Sequence, residues 1–432
     1  MKVAVVLAYP NTEKIAMVDP HFQALYSRLS GRQDLACERA FLPEEDRPQV
    51  LIHSESKQPL LAFDFIALFL SDEHDALGVL KLLKMGGLPL FAKEREEDLP
   101  LVFLGGPCAS TNPEPLADFM DAVFLEEEAW EEVPQLFRSI REGTFPPGEQ
   151  RDLFLRGLLQ VAGVYVPRFY EVSYSDNGTV QAVIPREGAP LPVKQFRVPS
   201  STFQNEQGGL QPGTWNGKRG TPFTIFVGAA TERLRRLLGG PLRDEAFFEI
   251  MDRFAGTEAP HLRLTFLIGL PTEADEDVLA IPELVKRFKH RILEKRGDKR
   301  RLEEVVLHIR TFFPKPWTIF QWSTMEEVGI LEARLKALER RLKPSKGIRL
   351  VHDLPKWAYL RAVLARGDRR ATRLLLLALR YGGDWKRAFL EWHLNPDFFA
   401  RRQRPLDETF PWDHLGTGKE ALIERCREAG LA

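Results

Sequence analysis

The sequence predicts an α/β protein with a doubly wound parallel sheet, a smaller partial β/α barrel and a helical C-terminal region. Strand and helix patterns alternate through the first 145 residues, which is typical of a parallel sheet covered by helices. Later, buried strand patterns are again followed by small-residue turns and helices. We therefore divide the chain into segments 1–145, 146–199, 200–322 and 323–432.

Segment 1–145 carries the alternation most clearly. Short apolar runs predict strands at KVAVVLAY, DLACERAFL, FDFIALFL, LPLVFLGGP and DAVFLEEE. Runs with helical spacing lie between them, at HFQALYSRL and at DALGVLKLLKMGG, which ends in glycines. This order predicts a Rossmann-like fold, in which ligands bind at the carboxyl ends of the strands.

Candidate ligand contacts follow two of these predicted strands. Ser71 follows FDFIALFL, and Gly105, Gly106 and Cys108 follow LPLVFL. Glycine lets a phosphate or a flat cofactor approach the backbone closely. A tight turn into the next segment explains the Gly-Gly pair equally well.

Segment 146–199 predicts a linker with a β-hairpin. After the proline-rich FPPGEQ, the run GVYVPRFYEVSYSDNGTVQAVI alternates apolar and polar residues around an Asn-Gly turn. Four prolines then favour an extended chain up to Pro199. We expect the hairpin to serve as a brace or cover.

Segment 200–322 repeats a strand, a turn and a helix. Its central stretch, Thr265–Ile281, joins a buried strand to Gly269, Thr272 and an acidic helix start at Glu273. Strand ends of this kind form the rim of β/α barrels, where ligands bind. Glu232 and Arg233 begin the preceding helix, either as ligand contacts on the same rim or as part of an ordinary first turn.

Three other groups leave a structural and a functional interpretation open. Lys315, Trp317 and Gln321 lie in a proline-rich aromatic loop that either packs or forms a substrate wall. Asp413 and His414 are a possible acid/base pair, but two residues define no geometry. The basic run 286–301 is either a solvated helix face or a contact for RNA.

Composition predicts a cytoplasmic protein. Lys and Arg number 60 and Asp and Glu 61, so the formal net charge is -1 and no global field favours nucleic acid or membrane. No run approaches the roughly 18 apolar residues of a membrane helix. The cysteines, Cys37, Cys108 and Cys426, lie far apart, so no local metal motif or disulfide framework is available.

Both halves of the chain resemble an uncharacterised bacterial subgroup of radical SAM proteins with an N-terminal cobalamin-binding domain. The N-terminal half is similar in GLPLFAKER, LVFLGGPCASTNPEPLADFMDAVF and GVYVPRFYEV. The later half is similar in ATERLRRLL, TFLIGLPTEADEDV, FFPKPWTIFQW, LARGDRR and PWDHL. The resemblance implies a cobalamin-binding-like sheet domain followed by a truncated radical SAM-type barrel.

The chain departs from this family at positions that carry its chemistry. Radical SAM proteins hold a [4Fe–4S] cluster through closely spaced cysteines, usually CxxxCxxC, and this sequence has no such triplet. Gly228, Ala229 and Ala230 stand where the relatives have an acidic residue in a Pro-Glu-Ala-Gly turn. Three glutamates, 126–128, replace a glycine-containing turn and would repel a phosphate. A [4Fe–4S] cluster is therefore not expected.

Cobalamin or SAM binding stays possible on the resemblance alone. The segment Asp19–Ala24, DPHFQA, is superficially similar to the DxHxxG signature in which a histidine ligates cobalt. Proteins of the resembling type commonly bind cobalamin without such a histidine. His21 is therefore more simply interpreted as a helix-entry residue than as a metal ligand.

These observations lead to a radical SAM-like pseudoenzyme that acts as a binding or accessory subunit. One alternative is an enzyme that performs a SAM- or cobalamin-linked modification, alone or with a complete radical SAM partner. A second alternative is an RNA-binding scaffold. Because a partial barrel has open strand edges, near PSSTFQ or TPFTIFV, we expect these edges to be covered by the first domain, a second copy or a full-length relative.

Overall fold

The chain folds into two compact units, each built from segments that are distant in sequence. The computed structural model describes residues 2–44, 56–143, 148–193, 222–239, 243–297 and 302–431. The first unit comprises Met1–Pro199, Val363–Phe399 and Asp407–Glu420. The second comprises Ser200–Ala362, Ala400–Leu406 and Ala421–Ala432. Residues 323–432, which the sequence groups as one helical region, are thus divided between both units.

Strands and helices alternate along much of the described chain. The strands are β1 (Val3–Thr12), β2 (Leu35–Leu42), β3 (Phe65–Phe69), β4 (Leu101–Gly105), β5 (Ala122–Phe124), β6 (Val164–Tyr165), β7 (Tyr170–Tyr174), β8 (Val180–Pro185), β9 (Phe223–Gly228), β10 (His261–Ile268), β11 (Glu304–Thr311) and β12 (Ile348–His352). The helices are α1 (Glu13–Ala16), α2 (Pro20–Ser30), α3 (Ala76–Met85), α4 (Pro107–Thr111), α5 (Val133–Arg141), α6 (Gln150–Leu158), α7 (Glu232–Leu237), α8 (Asp244–Ala255), α9 (Asp275–Arg296), α10 (Val328–Leu342), α11 (Pro355–Ala365), α12 (Ala371–Arg380), α13 (Trp385–Glu391), α14 (Asp397–Ala400) and α15 (Lys419–Glu428).

Six of the described strands of the first unit form a sheet in the order β2-β1-β3-β4-β5-β6. The first five strands pair in parallel, and β6 is antiparallel to β5. Every side chain of β3 is buried, as expected for a central strand covered on both faces. On one face Phe65, Phe103, Phe124 and Trp130 form an aromatic cluster. This arrangement confirms the predicted Rossmann-like sheet.

A separate hairpin, β7 with β8, also belongs to the first unit. The two strands pair antiparallel, as the Asn-Gly turn between them predicts. Asn177 accepts hydrogen bonds from the Thr179 backbone N–H and hydroxyl, at 3.0 and 2.7 Å.

The described strands of the second unit form a parallel sheet in the order β12-β11-β10-β9. Helices α8 and α9 pack together through Phe247, Phe248 and Phe288. The strand, turn and helix repeat confirms the predicted smaller β/α segment. Strand β9 is the last described strand at one edge, whereas the PSSTFQ segment lies outside the described residues.

Among the helices of the described ranges, none is long and apolar enough to cross a membrane.

Candidate functional site

At the carboxyl edge of the first sheet, the predicted residue Ser71 contacts Asp19. Asp19 precedes α2 and accepts hydrogen bonds from the backbone N–H groups of His21 and Phe22, at 3.0 and 3.2 Å. Its second oxygen accepts from the Tyr9 hydroxyl at 3.0 Å and from the Ser71 hydroxyl. Ser71 is thereby tied to the helix start. Burial, and then the Asp19 charge, raises the pKa of Tyr9, so this hydroxyl acts as a donor.

The Gly-Gly turn packs directly against the chain that follows β3. Leu70 donates its N–H to Gly105 O at 2.9 Å, and Cys108 donates its N–H to Leu70 O at 3.1 Å. Gly106 has a φ of 96°, and a Cβ atom there would lie 2.8 Å from Leu70 O. Glycine at 106 is therefore required for packing within the protein, which supports the tight-turn interpretation.

Cys108 is buried beside this turn, with 5% of its surface exposed. It lies in the short helix α4 and forms no disulfide. Ser71, Gly105, Gly106 and Cys108 thus lie at one edge of the sheet, as predicted, but Cys108 is covered in this state.

The glutamates that follow β5 adopt ordinary backbone angles. Glu126 has a φ of -137° and begins a 3-10 turn, so this position does not need glycine. Helix α2 supplies cations to the same turn, because Arg28 lies 3.9 Å from Glu127 and 2.8 Å from Glu131. Burial nevertheless raises the pKa of Glu127. His21 is an exposed residue of the first turn of α2, in keeping with a helix-entry role.

The carboxyl edge of the second sheet brings three predicted residues into one loop. The Gly269 N–H donates to Glu273 Oε2 at 2.5 Å, which closes the loop between β10 and α9. Thr272, within this loop, has a φ of 65°, an unfavourable conformation for a β-branched residue. Arg233 stabilises that conformation by donating to Thr272 Oγ1 at 2.9 Å and to its carbonyl at 3.1 Å.

Asp277, which the sequence did not single out, links two helix starts on this edge. It accepts from Thr231 Oγ1 at 2.8 Å, from Arg233 Nη2 at 2.5 Å and from Ala274 N at 2.9 Å. Arg233 thereby joins α7 to the loop before α9. The predicted residues Arg233, Thr272, Gly269 and Glu273 therefore lie together, and Asp277 bonds Arg233 and the Ala274 N–H beside them.

Glu232 points elsewhere. Its carboxylate accepts the backbone N–H of Asp244 at 3.1 Å and so stabilises the start of α8. Buried Arg235 donates to the carbonyls of Ala229 and Ala230, at 3.1 and 2.8 Å, and pairs with Asp244 at 2.5 Å. The small-residue turn after β9 is thus fixed by an arginine of α7.

Glu273 is the buried acid of this edge. Only 2% of its side chain is exposed, and Arg334 Nη1 of α10 lies 3.2 Å from its Oε2. Burial raises the pKa of Glu273 to about 7, although the Gly269 N–H and Arg334 act in the opposite direction. Near neutral pH the protonated and ionised forms of this carboxyl are therefore both populated.

A buried polar cluster in the first unit went unrecognised in the sequence. Glu114 accepts from the Tyr165 hydroxyl at 2.5 Å and from Arg369 Nε at 2.9 Å. His414 Nε2 lies 3.7 Å from Glu114, and its ring packs 5.0 Å from that of Tyr165. The four residues come from segments that carry the resemblance, NPEP, GVYVPRFY, LARGDRR and PWDHL. That shared origin was the signal that could have found them.

The titration of this cluster follows from its burial. Burial acts to raise the pKa of Glu114, but the Arg369 charge lowers it below its ordinary value. Burial raises the pKa of Tyr165 well above its ordinary value. Burial also lowers the pKa of His414 to about 4, so its imidazole is neutral at pH 7. A neutral imidazole thus lies beside an ion pair formed by Glu114 and Arg369.

Asp413 and His414 do not form an acid/base pair. Asp413 accepts from Lys419 Nζ at 2.5 Å and from the Phe410 N–H at 2.9 Å, whereas His414 faces Glu114. The aromatic loop after β11 packs as well, because Trp317 is 2% exposed and Gln321 1%. Gln321 Oε1 accepts the Trp317 N–H at 3.0 Å, which supports the structural interpretation of that loop.

Several cations of the described part of the basic run pair with nearby acids. On α9, Lys286 pairs with Glu283 at 3.0 Å, Arg287 with Asp244 at 3.2 Å and Arg291 with Asp252 at 2.7 Å. Residues 298–301 lie outside the described residues. These pairs favour a solvated helix face.

The residues present do not fit a [4Fe–4S] cluster. Cys37 lies on β2, Cys108 on α4 and Cys426 on α15, so no local set of three thiolates exists. Over the described ranges, no group of three or more His, Cys, Asp or Glu side chains is arranged to hold a metal ion.

Comparison with known proteins finds similarity in the N-terminal part of the chain. Residues 21–167 match the family model described as "Radical SAM proteins, N-terminal". An uncharacterised protein of Methanocaldococcus jannaschii is 28% identical over 153 residues, which are 35% of this chain and 31% of that relative. The match therefore spans less than a third of the relative's length. The family match confirms the predicted relation to radical SAM proteins in this part of the chain.

A solved structure aligns with a larger share of the chain at low similarity. It is the radical S-adenosylmethionine methyltransferase TsrM of Kitasatospora setae with cobalamin and a [4Fe–4S] cluster bound. The alignment covers 82% of this chain and 76% of that one, with 10% identity and a TM-score of 0.32.

Proposed function

We propose, from the N-terminal relation to radical SAM proteins, that this chain is a binding or accessory subunit that does not itself cleave SAM. The observation that carries the proposal is the distribution of its cysteines. Reductive cleavage of SAM in this family needs an electron from a cluster held by three closely spaced thiolates. Cys37, Cys108 and Cys426 offer no such set.

The rim of the second sheet supports the same proposal. Arg233 and Glu273, the charged candidates nearest the loop after β10, are engaged by Thr272, Asp277, Gly269 and Arg334. Their charges hold the loop rather than face a ligand. A rim of this kind is consistent with a subunit that retains the fold but does not cleave SAM.

Anaerobic reconstitution tests the proposal directly. The purified protein is incubated with iron and sulfide, and its visible spectrum, iron content and yield of 5′-deoxyadenosine from SAM under reduction are measured. A radical SAM protein with an intact CxxxCxxC motif is treated in parallel as the positive control. We expect neither a stoichiometric cluster nor 5′-deoxyadenosine from this chain. A stable cluster with SAM cleavage would refute the accessory role.

The accessory role implies a partner, which we propose is a second copy of this chain or a full-length radical SAM relative. Strand β9 is the last described strand at one edge of its sheet, and a strand edge favours pairing with another chain. Sedimentation of the purified protein and affinity capture with the full-length relative test this proposal. A strict monomer that captures no such relative would count against it.

A modifying enzyme is the alternative, and the carboxyl edge of the first sheet is the feature that favours it. Ser71, Gly105, Gly106 and Cys108 lie there together. By resemblance, cobalamin is the ligand to test, through the change in its absorbance on titration with protein. Saturable binding that is lost in Cys108→Ser, but kept in Cys426→Ser, would support the enzyme. We expect no saturable change.

A further inference from the structure

The loop between β10 and α9 is closed by the side chain of one of its own residues. Glu273 folds back so that its Oε2 accepts the Gly269 N–H at 2.5 Å. Its side chain is almost fully buried by this arrangement, since 2% of it is exposed. The contact that closes the loop therefore depends on a carboxyl group that has left water.

The carboxylates around Glu273 outnumber the arginines, so a negative charge on Glu273 would be poorly compensated. Arg334 of α10 contacts three carboxylates, with N–O distances of 3.2 Å to Glu273, 2.9 Å to Asp275 and 3.5 Å to Glu326. Arg233 of α7 pairs with a fourth, Asp277, at 2.5 Å. Ionised Glu273 thus adds a surplus negative charge in a buried place, and such a charge is unfavourable.

The closed loop also holds an unfavourable backbone. Thr272 keeps its φ of 65° while Arg233 bonds its hydroxyl and carbonyl. Opening would let Thr272 return to an ordinary conformation. The closed loop is also held by the Glu273 N–H, which donates to Leu270 O at 3.0 Å, and by Arg334, which donates to Glu273 O at 3.3 Å. Release of the Glu273 carboxyl would remove one of these contacts and relax the backbone of Thr272.

We propose that Glu273 is a proton-operated latch, whose neutral carboxyl keeps loop 269–274 closed and whose ionisation releases the loop as the pH rises. The latch lies at the carboxyl edge of the second sheet, so its release would expose the buried Gly269. The latch operates without a ligand and independently of the accessory role.

The direction of the response follows from linkage. Burial raises the pKa of Glu273 from 4.5 to about 7 in the closed loop. Between these values the closed loop holds a proton that the open loop releases, so a rise in pH favours opening. Full ionisation shifts the ratio of open to closed loop by about 300-fold, and the change from pH 6 to pH 8 accounts for about tenfold.

Hydrogen exchange of the intact protein tests the latch. Exchange of peptides covering 269–274 is measured at pH 6 and pH 8, corrected for intrinsic rates, with peptides from the core of β10 as the internal reference. We expect loop protection to fall about tenfold in the wild type. In Glu273→Gln, whose amide cannot ionise, protection should be the same at both values. Asp275→Asn is the matched control, since it removes an exposed partner of the same arginine and should keep the tenfold change.

Two results would overturn the proposal: no pH-dependent change in the wild type, or the same change in Glu273→Gln. If Glu273→Gln does not fold, carbon NMR of glutamate carboxyls in the wild type gives the answer without a variant. A titration midpoint of Glu273 near 7 supports the latch, and a midpoint near 4.5 excludes it.

Discussion

Gly106 shows how a single residue decides between two interpretations of a motif. Its positive φ and its contact with the Leu70 backbone mean that no side chain can be added without moving the chain. At Gly105, its neighbour in sequence, an added Cβ atom would lie 4.0 Å from the nearest atom, Phe124 O. The two glycines look equivalent in the sequence, but they differ in the structure.

Gly106→Ala should therefore destabilise the protein by about 1–3 kcal/mol, because it forces a strained backbone against a fixed neighbour. The free energy of unfolding from urea titration measures the change. Gly105→Ala is the matched control and should cost less. Equal losses in both variants would show that the turn is adaptable and that packing does not explain the glycine.

His414 predicts a dependence of stability on pH. Its pKa falls from 6.5 to about 4 in the folded protein, so between these values the unfolded chain binds a proton that the folded chain does not. Stability is therefore lost as the pH falls from 6.5 to 4, by roughly 3 kcal/mol in full. Glu273 acts in the opposite direction, since stability from its raised pKa is lost as the pH rises from 4.5 to 7.

His414→Phe isolates this effect, because a phenyl ring can occupy the space beside Tyr165 and Tyr170 but cannot bind a proton. Unfolding free energies at pH 6.5 and 5 should differ less in the variant than in the wild type, by about 2 kcal/mol. His290→Gln, at a residue whose side chain is 76% exposed, provides the control and should leave the difference unchanged. An identical pH dependence in His414→Phe would mean that the pKa of His414 is the same in the folded and the unfolded chain.

At the scale of elements, the ion pairs of helix α9 bear on whether the chain binds RNA. Lys286, Arg287, Arg291 and Lys295 pair with acids of α8 or of α9 itself. Lys289 and Arg296 donate to backbone carbonyls instead. Binding that relies on phosphate contacts weakens steeply as salt rises, since each contact releases counterions. The four cations that already pair with acids make weaker partners for phosphate.

We therefore expect weak RNA binding with little dependence on salt. Fluorescence polarisation with a single-stranded oligonucleotide, between about 50 and 200 mM salt, measures it. Asp252→Asn provides a contrast, since it releases Arg291 and Lys295 and should strengthen binding at low salt. A loss of about 10³ in wild-type affinity over this range would revive the RNA-binding scaffold.

Strands could be predicted from the sequence where a local pattern of apolar residues determines their burial. Site residues could be predicted only where the side chains that contact each other are close in the sequence. β1 and β3 are runs of apolar residues buried in the sheet, so the local sequence pattern identified them. β12 went unpredicted because its half-exposed residues alternate within a helical region and its pairing with β11 is a tertiary contact. Gly269 and Glu273 are four residues apart and were predicted together, whereas Arg334 comes from a distant helix.

At the scale of the whole molecule, the first unit includes two segments from the C-terminal part of the chain, Val363–Phe399 and Asp407–Glu420. Asn112 donates to the carbonyls of Ala365 and Gly367, at 2.9 and 2.7 Å. Glu114, 1% exposed, has Arg369 as its cation. The six-stranded sheet ends long before these residues, so a division of the chain by sequence segments cuts through this polar cluster.

A fragment of residues 1–199 should therefore fail to unfold cooperatively, although it contains the whole sheet and the hairpin. Without Arg369 the buried Glu114 carboxylate is uncompensated, at a cost of about 3–5 kcal/mol, and a typical domain has only about 5–15 kcal/mol in total. Urea titration followed by tryptophan fluorescence measures cooperativity. Addition of residues 363–420 in trans should restore it, whereas the same segment with Arg369→Leu should not. Cooperative unfolding of the 1–199 fragment alone would mean that the sheet, and not the cluster, determines the stability of this unit.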